Sequence, residues 1–105
     1  MRISLDEIQF QFDWDVAKAV GNLSKHGVSF ELAASVFNDP RILTVADITH
    51  SEMEERWFAI GLASTGTMLS VAYLWIESEP GPIKIRLITA RRAKAAEIRD
   101  YTESQ

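Results

Sequence analysis

Apolar and polar positions change their period three times along this 105-residue chain, and each change marks an element. Gln9 and Gln11 alternate with Phe10 and Phe12, which predicts a short strand over Phe10–Asp13. Asp13 or Asp15 can then cap a helix through Val16, Ala17, Val20 and Leu23, which recur at helical spacing. Lys25-His26-Gly27 ends it, with cations in the last turn and glycine as the left-handed stop. Ser29 can cap a second helix over Phe30–Phe37, where Phe30, Ala33, Ala34 and Phe37 share a face, and Asn38-Asp39-Pro40 terminates it.

The middle of the chain switches to β-branched and aromatic residues. Ile42–Ala46, Arg56–Ala63, Thr67–Ile76 and Ile83–Thr89 are predicted as strands, with a hairpin turn at Ser64-Thr65-Gly66. In the last of these, Ile83, Ile85 and Leu87 face one way while Lys84, Arg86 and Ile88 face the other. Ala90–Thr102 is alanine-rich and is expected to finish the chain as a helix. A strand, two helices, an antiparallel strand meander and a C-terminal helix make an α+β domain. No repeat interrupts it, so one domain is expected over residues 10–105, with residues 1–9 as an N-terminal extension.

Composition narrows the class. The chain has no cysteine, which excludes disulfides, thiolate metal sites and a cysteine nucleophile, and fits a cytoplasmic location. Met1–Asp15 lacks the continuous apolar stretch of a signal peptide, and no apolar run approaches the ~20 residues needed to cross a bilayer. The net charge of −4 argues at face value against nucleic acid as a partner. Its distribution argues otherwise. Residues 1–83 carry −7, residues 84–99 carry +5, and the last six carry −2. A polyanion responds to the local patch rather than to the sum.

Three constellations could carry chemistry. Lys25-His26 offers an imidazole, which trades protons near neutrality, beside a phosphate-binding cation. Its plainer reading is complementation of a helix dipole. His50-Ser51-Glu52-Met53-Glu54-Glu55 could ligate a divalent cation, although its spacing matches no defined metal loop and reads more simply as a solvated acidic loop. Arg56, at the head of an apolar strand, is expected to face a cleft or a partner. Finally, Arg86, Arg91, Arg92, Lys94, Arg99 and Tyr101 form a cationic run with an aromatic edge, suited to single-stranded RNA. If Ala90–Thr102 is helical, Arg92 and Arg99 share one face, while Arg91, Lys94, Ile98 and Tyr101 form a neighbouring stripe.

The order of short motifs is more specific. F-D-W-D at 12–15, N-L-S-K-H-G-V-S-F at 22–30, A-x-x-V-F-x-D-P at 33–40, E-E-R at 54–56, I-G-L at 60–62 and I-T-A-R-R at 88–92 together resemble the BrnT family. These are the toxins of BrnT/BrnA toxin–antitoxin pairs. The resemblance implies a compact RelE-like fold and an endoribonuclease that cuts RNA without metal or other cofactor to block translation. It also implies a BrnA-like ribbon-helix-helix antitoxin as partner, with operator DNA engaged only through the complex, and no membrane association. On that reading Arg56 and Arg91 stabilise charge on the reacting phosphate. Lys25, His26 and Tyr101 are candidates for proton transfer or phosphate positioning, and Arg86, Arg92, Lys94 and Arg99 hold the RNA strand. Two other readings stand beside it. One is a non-catalytic module that binds an antitoxin or co-repressor through the basic C-terminal face. The other is a metal-dependent nuclease built on His50 with Glu52, Glu54 and Glu55.

Overall fold

The computed structural model describes residues 10–49, 55–77 and 80–105. The N-terminal extension and the acidic stretch His50–Glu54 therefore lie outside the described residues. The chain runs β1 (Phe10–Asp13), α1 (Val16–His26), α2 (Phe30–Ala34) with a 3-10 turn (Ser35–Asn38), β2 (Leu43–Ala46), β3 (Arg56–Leu62), β4 (Met68–Ile76), β5 (Ile83–Arg92) and α3 (Ala95–Glu103). The five strands form one sheet in the order β1-β5-β4-β3-β2. Strands β2 to β5 make the expected antiparallel meander, and β1 adds in parallel to the outer edge of β5. The α+β architecture matches the expectation from the sequence.

Local chemistry accounts for the element ends. The Asp15 carboxylate accepts a hydrogen bond from the Lys18 N–H and caps α1, while Gly27, at φ 69°, closes it. The Ser29 hydroxyl caps α2 through the Leu32 N–H. Alternation on the sheet then gives one face to the core. Leu69, Val71 and Tyr73 of β4 and Ile85, Leu87 and Ala90 of β5 pack against Phe30, Ala33 and Val36. Leu87 and Ala90 share this face because Ile88 is an extra residue: Tyr73 pairs with Leu87 and Ala72 with Thr89. The 3-10 turn approaches β3 so closely that a Cβ on Gly61 would lie 3.2 Å from that of Val36.

One local expectation is corrected. Strand β5 extends three residues beyond Thr89, because Ala90, Arg91 and Arg92 pair with Val71, Ser70 and Leu69. Sheet pairing outweighs the helix propensity of the alanine-rich tail, and the helix starts only at Ala95. Arg91 and Arg92 consequently point to opposite faces of a strand, and the helical stripes that would join them to Lys94, Ile98 and Arg99 do not form. Helix α1 forms where its spacing predicts. Val16, Val20 and Leu23 keep their helical spacing but stay exposed, and the inward position is polar Asn22.

Candidate functional site

Strand β1 stops where Asp13 pairs with Arg86, so the outer edge of β5 is unpaired from there onward. The Asn22 side chain fills this edge. Its amide donates to the carbonyl oxygens of Ala90 (2.8 Å) and Val28 (2.9 Å), and its carbonyl accepts from the Ala90 N–H (3.0 Å). A buried amide thus stands in for a neighbouring strand, which explains why α1 turns a polar residue inward. The same contact fixes the helix over β5. One turn away, Lys18, Lys25 and His26 line an open cavity of about 300 Å³ against Ile88 and Thr89. Gly21 adds no side chain to its wall. Lys25 and His26 therefore share a cavity wall, and Lys18, one helical repeat earlier, joins them.

The face of the sheet away from α1 and α2 holds the arginines. Arg56 and Arg86 both pair with Leu74, one from each side, while Arg91 pairs with Ser70. Ser70 lies four residues from Leu74, or roughly 13 Å along the strand, so Arg91 is not clustered with Arg56. Thr89 shares the face of Arg91, and the cavity opens on the β5 edge between Arg86 and Arg91.

Carboxylates accompany these cations. Arg91 makes a two-pronged contact with Glu97, at 2.8 and 3.0 Å. Glu97 also accepts from the Lys94 N–H at the start of α3 and, at 3.4 Å, from Ser70. The hydrogen bonds from Arg91 hold the Glu97 carboxyl below its ordinary range against the opposing effect of burial. They also raise the pKa of Arg91 further. Arg56 meets the nearly inaccessible Asp47 carboxylate at 3.2 Å. Asp13 faces both Arg86 (3.4 Å) and Lys84 (3.7 Å). Among the described residues Arg92, Lys94 and Arg99 make no ion pair.

The Tyr101 hydroxyl donates to Asp39 Oδ2 at 2.7 Å, and that oxygen also accepts from the Leu62 N–H. Burial works against the Asp39 charge, but hydrogen bonds from Leu62, Tyr101 and Arg41 outweigh it and lower its pKa. The bond to Asp39 raises the Tyr101 pKa, which keeps the phenol protonated. Tyr101 ties α3 to the loop before β2; it does not line the Lys25/His26 cavity. Asn22, Asp13, Asp39, Asp47 and Glu97 are the residues sequence reading missed. Only Glu97 carried a signal, as a glutamate three residues after the residue that starts a helix. No cluster of three histidine or carboxylate side chains able to hold a metal occurs among the described residues.

A family model described as the ribonuclease toxin, BrnT, of a type II toxin–antitoxin system matches residues 14–97. No curated protein sequence matches the chain at a significant level. Among solved structures, the chain is similar to the Brucella abortus ribonuclease toxin BrnT, with 23% sequence identity and a TM-score of 0.53. That similarity covers 82% of this chain and 99% of the other. The two share the fold.

Proposed function

Since the chain belongs to the BrnT family of type II ribonuclease toxins, we propose that it is a cytoplasmic endoribonuclease toxin that cleaves RNA without a metal ion. The observation that carries this reading is the convergence of His26, Lys25 and Lys18 on an open cavity at the β5 edge, between Arg86 and Arg91. Cleavage of RNA needs few parts. A base takes the proton of a ribose 2′-OH, the resulting alkoxide attacks the adjacent phosphorus, and an acid protonates the departing 5′-oxygen. His26 is the proposed proton-transfer group, because imidazole serves as base or acid near neutral pH. Lys18 and Lys25 meet the phosphate, where two fixed cations oppose the charge that builds in the transition state.

Arg86 and Arg91 extend the cationic track on either side of Thr89, Lys94 and Arg99 continue it along the chain into α3, and Arg92 holds the RNA strand from the opposite face of β5. Arg91 changes partner when RNA arrives, exchanging Glu97 for a phosphate of the same two-pronged geometry. Arg56, held by Asp47, contributes from the far row of the sheet, and Tyr101 acts through Asp39 by placing α3. A ribbon-helix-helix antitoxin is the proposed neutralising partner, with operator DNA bound through the complex.

The test is induction of the chain alone in cells, beside Arg91→Ala and His26→Ala, followed by cleavage of purified RNA in chelator. Growth arrest and chelator-resistant cleavage by the parent chain support the reading. Intact RNA with the parent chain overturns it. One observation favours a second reading, a non-catalytic module that binds its partner through the basic C-terminal face. Arg56, Arg86 and Arg91 each already hold a carboxylate, as cations at a protein interface do.

A further inference from the structure

A second cavity of about 300 Å³ opens on the helix-bearing face of the sheet, over β2, β3 and β4. Its walls are Trp57, Tyr73 and Trp75, with Thr44 beside them and two carboxylates, Glu55 and Glu77. The pleat explains the aromatic grouping. Trp57 pairs directly with Tyr73, and Trp75 follows two residues later on the same face of β4. The Trp75 indole N–H donates to one oxygen of Glu77 at 2.9 Å, which sets that carboxylate beside the ring. Glu55 and Glu77 are both exposed, and neither forms an ion pair among the described residues.

Tyr73 supplies the second observation. It is only 2% exposed, its ring stands edge-on to Phe37 at 5.0 Å, and its hydroxyl has no hydrogen-bond partner among the described residues. A solvent-reached phenol oxygen in a cavity wall can exchange water for a ligand's N–H donor. Burial alone pushes this phenol to about 12, so at neutral pH it is a neutral donor and acceptor.

We propose that this cavity is a socket for one arginine side chain presented by a protein partner. A guanidinium stacks flat on indole, offers a planar fork of N–H donors to a carboxylate, and can donate an edge N–H to a phenol oxygen. Indoles, carboxylates and a phenol oxygen are all present here. The volume lies at the lower end for ligand sites, which suits one side chain rather than a larger molecule. An RNA base could also stack on indole, but Glu55 and Glu77 would repel its flanking phosphates. The partner is the antitoxin of the proposed function, and the inference rests on that reading for the partner's existence. The socket shares no lining residue with the cavity at the β5 edge, so its occupation is separable from cleavage.

The test titrates the full chain, labelled with nitrogen-15, with N-acetyl-arginine amide while the three indole N–H signals are followed. Saturable shifts of Trp57 and Trp75 with Trp14 unmoved are expected. The double variant Glu55→Gln/Glu77→Gln, which alters only exposed side chains, should weaken binding roughly tenfold and leave RNA cleavage unchanged. Absence of saturable shifts, or equal binding by the double variant, overturns the proposal. So does a response to guanosine monophosphate without one to the arginine derivative, which would give the cavity to RNA. Binding is read without any cleavage step, so the socket is tested even in a chain that fails as a ribonuclease.

Discussion

Replacing Asn22 with alanine removes all three hydrogen bonds by which α1 completes the β5 edge. The Ala90 N–H, the Ala90 carbonyl and the Val28 carbonyl lose their partner together, and Ala90 and Val28 are 0% and 3% exposed. A buried polar group left unsatisfied costs about 1–3 kcal/mol, carbonyls least because an under-satisfied C=O is tolerated better than an orphaned N–H. Three such groups, one of them an N–H, give about 3–5 kcal/mol. A domain of this size is stable by only about 5–15 kcal/mol, so the loss is a large share of the total. In melting temperature it corresponds to a drop of roughly 12–25 °C.

Urea and thermal denaturation of Asn22→Ala against the parent chain measure this directly. Asn22→Asp sharpens the test, because it keeps the acceptor for the Ala90 N–H but turns a carboxylate oxygen toward two carbonyls. Its native pKa is then raised above the unfolded value. Stability is retained below about pH 4 and falls as pH rises through the raised native value. A melting temperature of Asn22→Ala within a degree or two of the parent chain would refute the reasoning. So would Asn22→Asp insensitive to pH.

The other predictions follow from the same geometry. Glu97→Gln leaves Arg91 without its counter-charge and replaces one of the two acceptor oxygens by an NH₂ donor, while the other can still cap α3; a loss of about 1–2 kcal/mol is expected in denaturation, together with tighter RNA binding in a gel-shift assay. Asp39 and Glu97 have lowered native pKa values, so they contribute stability above the ordinary carboxylate range that is lost as pH falls through those lower values. Acid titration of the double variant Asp39→Asn/Glu97→Gln should therefore be flatter than that of the parent chain below about pH 4. RNA binding should weaken with salt: three phosphate contacts predict roughly a 20-fold loss between 50 and 200 mM. A filter-binding series that stayed flat would remove the electrostatic role of the β5 track.

The elements of this fold were largely legible in the sequence because their ends carry local chemistry. Asp15, Gly27 and Ser29 act within a turn of themselves, and the caps stand where the sequence places them. The β5 boundary was not legible, because what keeps Ala90–Arg92 extended is pairing with Leu69–Val71, a distant stretch of the chain. The inward face of α1 was hidden for a related reason. Hydrophobic spacing through Val16, Val20 and Leu23 marks the helix but not its inward face, which is decided by a polar amide meeting an unpaired strand edge 68 residues later. Among candidate site residues, Lys25 and His26 were recoverable as sequence neighbours on one turn. The carboxylate partners of Arg56 and Arg86 were not, since Asp47 and Asp13 reach them only through sheet register. The sequence separation of charge into an acidic body and a basic tail is accordingly softened in space, where acids from the body interleave with the basic strand.

Metal-free ribonuclease chemistry at the β5 edge stands or falls on one comparison: cleavage of purified RNA in chelator by the isolated parent chain and by His26→Ala. Cleavage by the parent chain is expected, with a loss of roughly 10²–10⁴-fold in rate for His26→Ala. The variant should fold normally, since no core contact depends on its imidazole. RNA left intact by the parent chain, or cut equally by both, would contradict the proposed role of His26 and the cavity it lines.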